Sequence, residues 1–206
     1  MSTLEATRLS LHAVAELLLA GPQFDLSESI ELRVVPGGFG TKTEPDVRVV
    51  GTDLVLVDRS VPLDGRTVAV VADEIGLRPR PLDDVYQGGC GLTANHLLTV
   101  DPEDAAQIAL AFEVGDQALQ AFSPGVRSVL WPEHFDIGIT VGEVNYGISP
   151  GDSFLGVPYV YVGPWRPGDV TGAFWNAPFG AARPMSDFTD AAAVLEFLRE
   201  GERLAG

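Results

Sequence analysis

The chain is poor in cysteine, in basic residues and in long apolar runs. A single cysteine, Cys90, among 206 residues excludes an intramolecular disulfide. Lys and Arg number only 13 against 29 Asp and Glu, which gives a formal charge of −16. A surface of that charge repels phosphate backbones and anionic lipid headgroups. We therefore expect neither a nucleic-acid nor a membrane partner.

Two further absences concern the location of the protein. No apolar stretch approaches the ~20 residues that span a bilayer, and the first residues lack the basic segment and apolar run of a signal peptide. These features predict a cytoplasmic protein. Hydrophobic residues make up 46% of the chain, which is enough for a full core without disulfides. We predict one α+β domain over residues 1–206, or two intimately packed halves at 1–100 and 101–206.

Periodicity and punctuation residues predict the elements. Apolar residues at helical spacing predict helices over 2–20, 64–76, 101–122 and 190–203, with Gly21-Pro22 ending the first of them. Alternation predicts strands over 29–35, 47–50 and 53–57, the last two joined by a Gly51-Thr52 turn. Residues 77–100, with the Gly88-Gly89-Cys90-Gly91 run, predict a long irregular connection. Runs of strands between helices favour an antiparallel sheet, or sheets, with about four helices packed on it.

The most informative segment spans residues 129–161. Its first half alternates strictly, which predicts one continuous strand with an apolar face and a polar face. The polar face places His134 and Asp136 side by side, followed by Thr140. The apolar face consists of Val129, Trp131, Phe135, Ile137, Ile139 and Val141.

A hairpin extends this polar face. Gly142-Glu143 suits a two-residue turn, and glycine in the first position predicts type II′. Val141 then pairs with Val144, Ile139 with Tyr146 and Ile137 with Ile148 on the apolar side. Gly138 and Gly147 face each other on the polar side and leave room for a ligand or a covering side chain. The predicted polar surface holds His134, Asp136, Thr140, Asn145, Ser149, Asp152, Tyr159 and Tyr161.

The same segment resembles a bacterial family of unknown function. The shared pattern is a W-P-x-H-F-D strand at 131–136, a G-x-S-x-G-D turn at 147–152 and a P-Y-x-Y strand at 158–161. In that family two histidines often stand together before the Phe-Asp pair, whereas Glu133 occupies the first position here. The resemblance implies a cytoplasmic, single-domain protein and brings no activity with it.

We interpret the polar face first as a small-molecule site, because apolar walls with a few converging polar groups are the usual construction of such sites. The hypothesis requires no cofactor and no metal. Trp131 and Trp165, with Trp175 nearby in sequence, supply walls. The predicted ligand-binding residues are Trp131, His134, Asp136, Asn145, Ser149, Asp152, Tyr159, Tyr161 and Trp165.

Other interpretations remain open. Ser149, His134 and Asp136 have the residue types of a nucleophile, its base and an orienting acid, which would make the protein a hydrolase. His134 with Asp136 or Glu133 would be a metal site. A purely structural role for the alternation is a further alternative. Finally, a non-catalytic interaction protein would dock a partner through the aromatic loops around Trp165 and Trp175.

Signals elsewhere are fewer. Pro36-Gly37-Gly38-Phe39-Gly40 lacks the lysine of a phosphate-binding loop and predicts a turn. His12 lies beside Leu11 in the first helix and is interpreted as a packing residue. No neighbour in sequence clearly lowers the pKa of Cys90, so a catalytic role for its thiol is not predicted.

Overall fold

The computed structural model describes all 206 residues and confirms the α+β class. One antiparallel sheet contains ten strands in the order β10-β9-β8-β7-β6-β1-β2-β3-β4-β5. The strands are β1 Leu32–Val35, β2 Gly38–Thr41, β3 Val47–Val50, β4 Asp53–Leu56, β5 Arg59–Pro62, β6 Val129–Trp131, β7 Asp136–Val141, β8 Val144–Ser149, β9 Tyr159–Pro164 and β10 Ala181–Pro184. Four helices accompany the sheet, as expected: residues 3–27, α3 Val68–Ile75, α4 Pro102–Phe122 and α5 Ala191–Ala205.

The chain forms two compact units, which are described separately. The first contains Met1–Leu110 together with Leu130–Phe135, and the second contains Ala111–Val129 together with Asp136–Gly206. Most of β6 therefore belongs to the first unit, where Leu130 pairs with Leu32 of β1. Strands β7 to β10 belong to the second unit.

The first helix corrects one prediction, because it does not end at Gly21-Pro22. It runs as α1 Thr3–Val14, a π-helical segment Ala15–Ala20 and α2 Gly21–Ser27. Pro22 lacks the N–H that would serve a carbonyl of the preceding turn. In the π segment Gly21 N–H donates to Glu16 O, and the carbonyl of Leu17 accepts instead from the N–H of Arg80 at 3.0 Å. A Cβ on Gly21 would lie 2.1 Å from Arg80 O, so only glycine allows this contact.

The sheet of the first unit is a meander that was predicted in part. The Gly51-Thr52 turn and the strands on either side are confirmed as the β3–β4 hairpin. Strands β2 and β5 were missed, since Gly38–Thr41 and Arg59–Pro62 show no clear alternation of apolar residues. Helix α3 buries Val68, Val71, Ala72 and Ile75, as predicted, and ends at Gly76 in the left-handed region.

Residues 77–100 contain no helix or strand, which confirms the predicted irregular connection. The segment is nonetheless tied to the first unit by backbone hydrogen bonds. Leu98 N–H donates to Arg66 O, and Val68 N–H donates to His96 O. Val100 N–H donates to the carboxylate of Asp64 at 2.9 Å.

The second unit packs helices on the apolar face of its strands. Gly115 of α4 lies against Ile148, so closely that a Cβ at this glycine would meet the Ile148 side chain at 2.3 Å. Helix α5 begins at Asp190, whose carboxylate accepts from Ala193 N–H at 3.0 Å.

Strand β10 is an edge strand of the sheet. The side-chain amide of Asn176 donates to Ala182 O at 3.0 Å and accepts from Ala182 N–H at 2.9 Å.

Candidate functional site

The predicted continuous strand over residues 129–141 is wrong. Strand β6 ends at Trp131 and β7 begins at Asp136, and the residues between them form a turn. Phe135 N–H donates to Trp131 O at 2.8 Å, and Phe135 has a φ of +52° in the left-handed region. His134 therefore lies in a turn and does not share a strand face with Asp136.

Burial of the Phe135 ring explains why the turn forms. Phe135 is 1% exposed; its ring stacks on His12 with centroids 5.5 Å apart and meets Phe39 edge-on at 5.2 Å. Burial of an aromatic ring contributes roughly 2–3 kcal/mol, which offsets the cost of the left-handed backbone. His12 Nε2 also lies 2.7 Å from Pro132 O, so the first helix binds the turn directly.

His134 itself is exposed. Its side chain is 68% accessible, and its Nε2 lies 3.6 Å from a carboxylate oxygen of Glu133. Trp131, the other predicted ligand-binding residue of this region, is half-buried in the first unit. The remaining predicted site residues belong to the second unit.

The β7–β8 hairpin confirms the predicted register. Ile137 pairs with Ile148, Ile139 with Tyr146, and Thr140 with Asn145. The turn type was predicted incorrectly. Gly142 has a φ of +59° and Glu143 a φ of +63°, and positive φ at both positions defines type I′ rather than type II′.

The space above the paired glycines is filled by Tyr161. A Cβ on Gly147 would lie 2.5 Å from Tyr161 Cζ, and one on Gly138 would lie 3.2 Å from the Tyr161 hydroxyl oxygen. The hydroxyl donates a hydrogen bond to Asp136 Oδ2. Burial, followed by the Asp136 charge, raises the pKa of Tyr161 well above 10. The sequence predicted room at these glycines for a ligand or for a covering side chain. In the structure a covering side chain, Tyr161, occupies it.

Further along β9, Tyr159 and Asp152 form a second internal pair. The Tyr159 hydroxyl donates to Asp152 Oδ2 at 2.7 Å, and Asp152 Oδ1 accepts from the N–H of Phe154 at 2.7 Å. Burial first, then the bond to Asp152, raises the pKa of Tyr159. Ser149 is 5% exposed, and its hydroxyl accepts from Gly151 N–H at 3.1 Å. These polar groups therefore fix the turn after β8.

Aromatic rings cover this end of the face. Phe179 lies 5.1 Å from Phe154, 6.5 Å from Tyr159 and 6.4 Å from Tyr161, measured between ring centroids. The result is a packed aromatic cluster with its hydroxyl groups bonded to carboxylates. Such an arrangement stabilises the sheet through burial and through hydrogen bonds to charged acceptors.

The hairpin end of the same face is open. Asn145 Oδ1 accepts from the Thr140 hydroxyl at 2.8 Å and from the indole N–H of Trp165 at 3.2 Å. The backbone N–H of Trp165 donates to Glu143 O at 2.9 Å. Trp165 is nonetheless 60% exposed. We call this region the Trp165 surface; its residues are Thr140, Glu143, Asn145, Gly163, Trp165 and Arg166.

The sequence prediction missed a buried polar group in the first unit. Glu16 is 3% exposed, and its carboxylate accepts from Cys90 N–H at 2.6 Å. Burial raises the pKa of the Cys90 thiol to about 12 and also raises the pKa of Tyr86, which interacts with Glu16. One sequence feature could have indicated this buried site. Arg8, His12 and Glu16 are four residues apart, so a helix places the three ionisable side chains on one stripe.

His12 is held neutral in this region. Its pKa is lowered from 6.5 to about 4: burial is the largest cause, the hydrogen bond to Pro132 opposes it, and the nearby charges of His134 and Arg8 add to it. A protonated thiol is a poor nucleophile, and an imidazole with a pKa of about 4 is a weak base near neutral pH. The region is therefore better suited to holding the helix, the connection and the turn together than to catalysis.

No group of three or more His, Cys, Asp or Glu side chains is arranged to hold a metal ion. None of the helices combines the length and the apolar character that crossing a membrane requires. Comparison of the chain with protein-family models, with curated proteins and with solved structures gives no match. The resemblance to a bacterial family thus remains a prediction, and the function must be argued from the geometry.

Proposed function

We propose that this protein is a non-catalytic interaction protein that docks a protein partner through the Trp165 surface. The exposure of a fixed tryptophan is the observation that supports this function most directly. Trp165 is 60% exposed, although its indole N–H and its backbone N–H are both hydrogen-bonded. A large aromatic side chain that is already ordered loses little conformational entropy when a partner covers it, and tryptophan is enriched among residues that dominate binding energy.

The rest of the predicted polar face supports docking over a ligand pocket. Tyr161 fills the space above Gly138 and Gly147, and Asp152, Ser149 and Tyr159 are engaged in bonds within the second unit. Of the predicted site residues, Asn145 and Trp165 lie at the open end. We also propose that the partner is met in the cytoplasm, where the single thiol of Cys90 is not at risk of disulfide exchange.

The test compares three forms of the purified protein as bait in extract from its own host. The forms are the natural chain, Trp165→Ala, and Leu97→Ala, which removes a 58% exposed apolar side chain of the first unit. A partner retained by the natural chain and by Leu97→Ala, but lost with Trp165→Ala, is then purified and its affinity measured by calorimetry. Truncation of a dominant tryptophan costs about 2 kcal/mol or more, which is roughly a 30-fold rise in Kd.

Circular dichroism checks that each variant is folded. A partner whose affinity is the same for the natural chain and Trp165→Ala would show that docking occurs elsewhere. Equal losses in Trp165→Ala and Leu97→Ala would show that the contact is unspecific.

A further inference from the structure

Glu143, Arg166 and Asp169 lie at the border of the Trp165 surface, and we call them its rim. The rim already contains one guanidinium group. Arg166 Nη2 lies 3.0 Å from Glu143 Oε2, and Arg166 Nε lies 3.9 Å from Asp169 Oδ2. All three side chains are more than 60% exposed, so they lie at the protein surface next to Trp165. Two carboxylates and one guanidinium leave this rim with a formal charge of −1.

The accessible part of Trp165 is suited to a cation. Asn145 engages the N–H edge of the indole, so a further acceptor cannot use that donor. The indole has no other polar atom, so the rest of this side chain offers only aromatic ring, and the face of an indole attracts ammonium and guanidinium groups more strongly than other aromatic faces do. The chain as a whole carries a formal charge of −16, which steers cationic partners towards it and repels anionic ones.

From these features we infer that the partner's contact segment is basic and places an arginine or lysine side chain on the face of Trp165. This inference rests on the proposed docking function and adds the chemistry of the partner. The carboxylates of Glu143 and Asp169 then pair with the incoming cation, in competition with Arg166. Glu143 and Asp169 thereby favour a positively charged segment, and Trp165 favours a cationic side chain that packs on an aromatic face.

The probe is a short oligo-arginine peptide, with the citrulline peptide of the same length as an uncharged control of similar shape. Binding is measured by calorimetry at about 0.15 M salt, where long-range attraction is screened. Trp165→Ala leaves the net charge unchanged and is expected to weaken binding about tenfold. Arg166→Ala removes the competing guanidinium and is expected to strengthen binding several-fold. Leu97→Ala is the matched control and is expected to bind as the natural chain does.

Equal binding of oligo-arginine by the natural chain and Trp165→Ala would overturn the inference, because bulk charge alone would then explain the affinity. Weaker binding by Arg166→Ala, or equal binding of the citrulline peptide, would overturn it as well. The result also separates the two proposals. A Trp165-dependent partner that is acidic or uncharged would refute the basic-partner inference and leave the docking function standing, whereas independence of every partner from Trp165 would refute both.

Discussion

Acid should destabilise this protein through His12 well before its carboxylates are protonated. In the folded chain the pKa of His12 is about 4, against 6.5 in an exposed histidine. Between these values the unfolded chain binds a proton at His12 and the folded chain does not, so falling pH favours unfolding. Above pH 6.5 the imidazole is neutral in both states, and the effect disappears.

The magnitude follows from the shift. About 2.5 pKa units at 1.36 kcal/mol each give about 3 kcal/mol in total. Between pH 7 and pH 5 the free energy of unfolding falls by about 2 kcal/mol through this group, by the same linkage relation. At pH 5 ordinary Asp and Glu side chains, with pKa values near 4, remain mostly ionised, so this window reports chiefly on histidine.

Urea titrations at pH 7 and pH 5 give the free energy of unfolding of the natural chain, of His12→Gln and of His134→Gln. Between pH 7 and pH 5 we expect this free energy to fall by about 2 kcal/mol more in the natural chain and in His134→Gln than in His12→Gln. His134→Gln is the comparison variant because the His134 side chain is 68% exposed, and because burial, the largest cause of the lowered His12 pKa, is unchanged in it. An equal pH dependence in His12→Gln and the natural chain would refute the reasoning, whatever the stability of the variant at pH 7.

Three further predictions concern the backbone and the thiol. Val57 is 76% exposed with a φ of +58°, so Val57→Gly should raise the unfolding free energy by roughly 0.5–1 kcal/mol in urea titrations, whereas Val70→Gly in α3 should lower it. Gly147→Ala would place Cβ 2.4 Å from a backbone oxygen of β7 and should cost more than about 3 kcal/mol, while Gly125→Ala, with nothing within 4 Å, should be near neutral by thermal unfolding. With its pKa raised to about 12, Cys90 should react with a disulfide reagent far more slowly in the native state than in urea; equal rates in both states would contradict the assigned burial.

Features set by neighbouring residues could be predicted from the sequence. Ser2 accepts from Glu5 N–H at 3.1 Å and Asp190 caps α5, because N-capping depends only on residues within one turn. The β7–β8 register was predictable for a similar reason. A two-residue turn at Gly142-Glu143 fixes the pairing, and alternation decides which side chains face the core.

Features set by distant residues could not be predicted. Phe135 is apolar and buried whether it lies in a strand or in a turn, so alternation alone cannot distinguish the two. The turn depends on His12, which is 120 residues before Pro132 in the chain. Likewise the helix passes Gly21-Pro22 because the N–H of Arg80 reaches Leu17 O, and nothing within one turn of the proline indicates this.

The candidate site was predicted in composition but not in arrangement. Thr140, Asn145 and Trp165 do lie on one face, where they form the open end. Tyr161 was expected to contact a ligand, and it contacts Asp136 and two glycines instead. Side chains that fill a space and side chains that line one have the same alternation, so the sequence could not separate these roles.

The side chain of Asn176 has a consequence for how the protein behaves at high concentration. Exposed edge strands can recruit a further strand from another molecule, which is the first step of fibril growth. Asn176 occupies both the N–H and the carbonyl of Ala182 on β10, as a neighbouring strand would. An amide side chain of the same molecule thus satisfies the outward backbone groups of Ala182, so a strand of another molecule could pair there only by displacing Asn176.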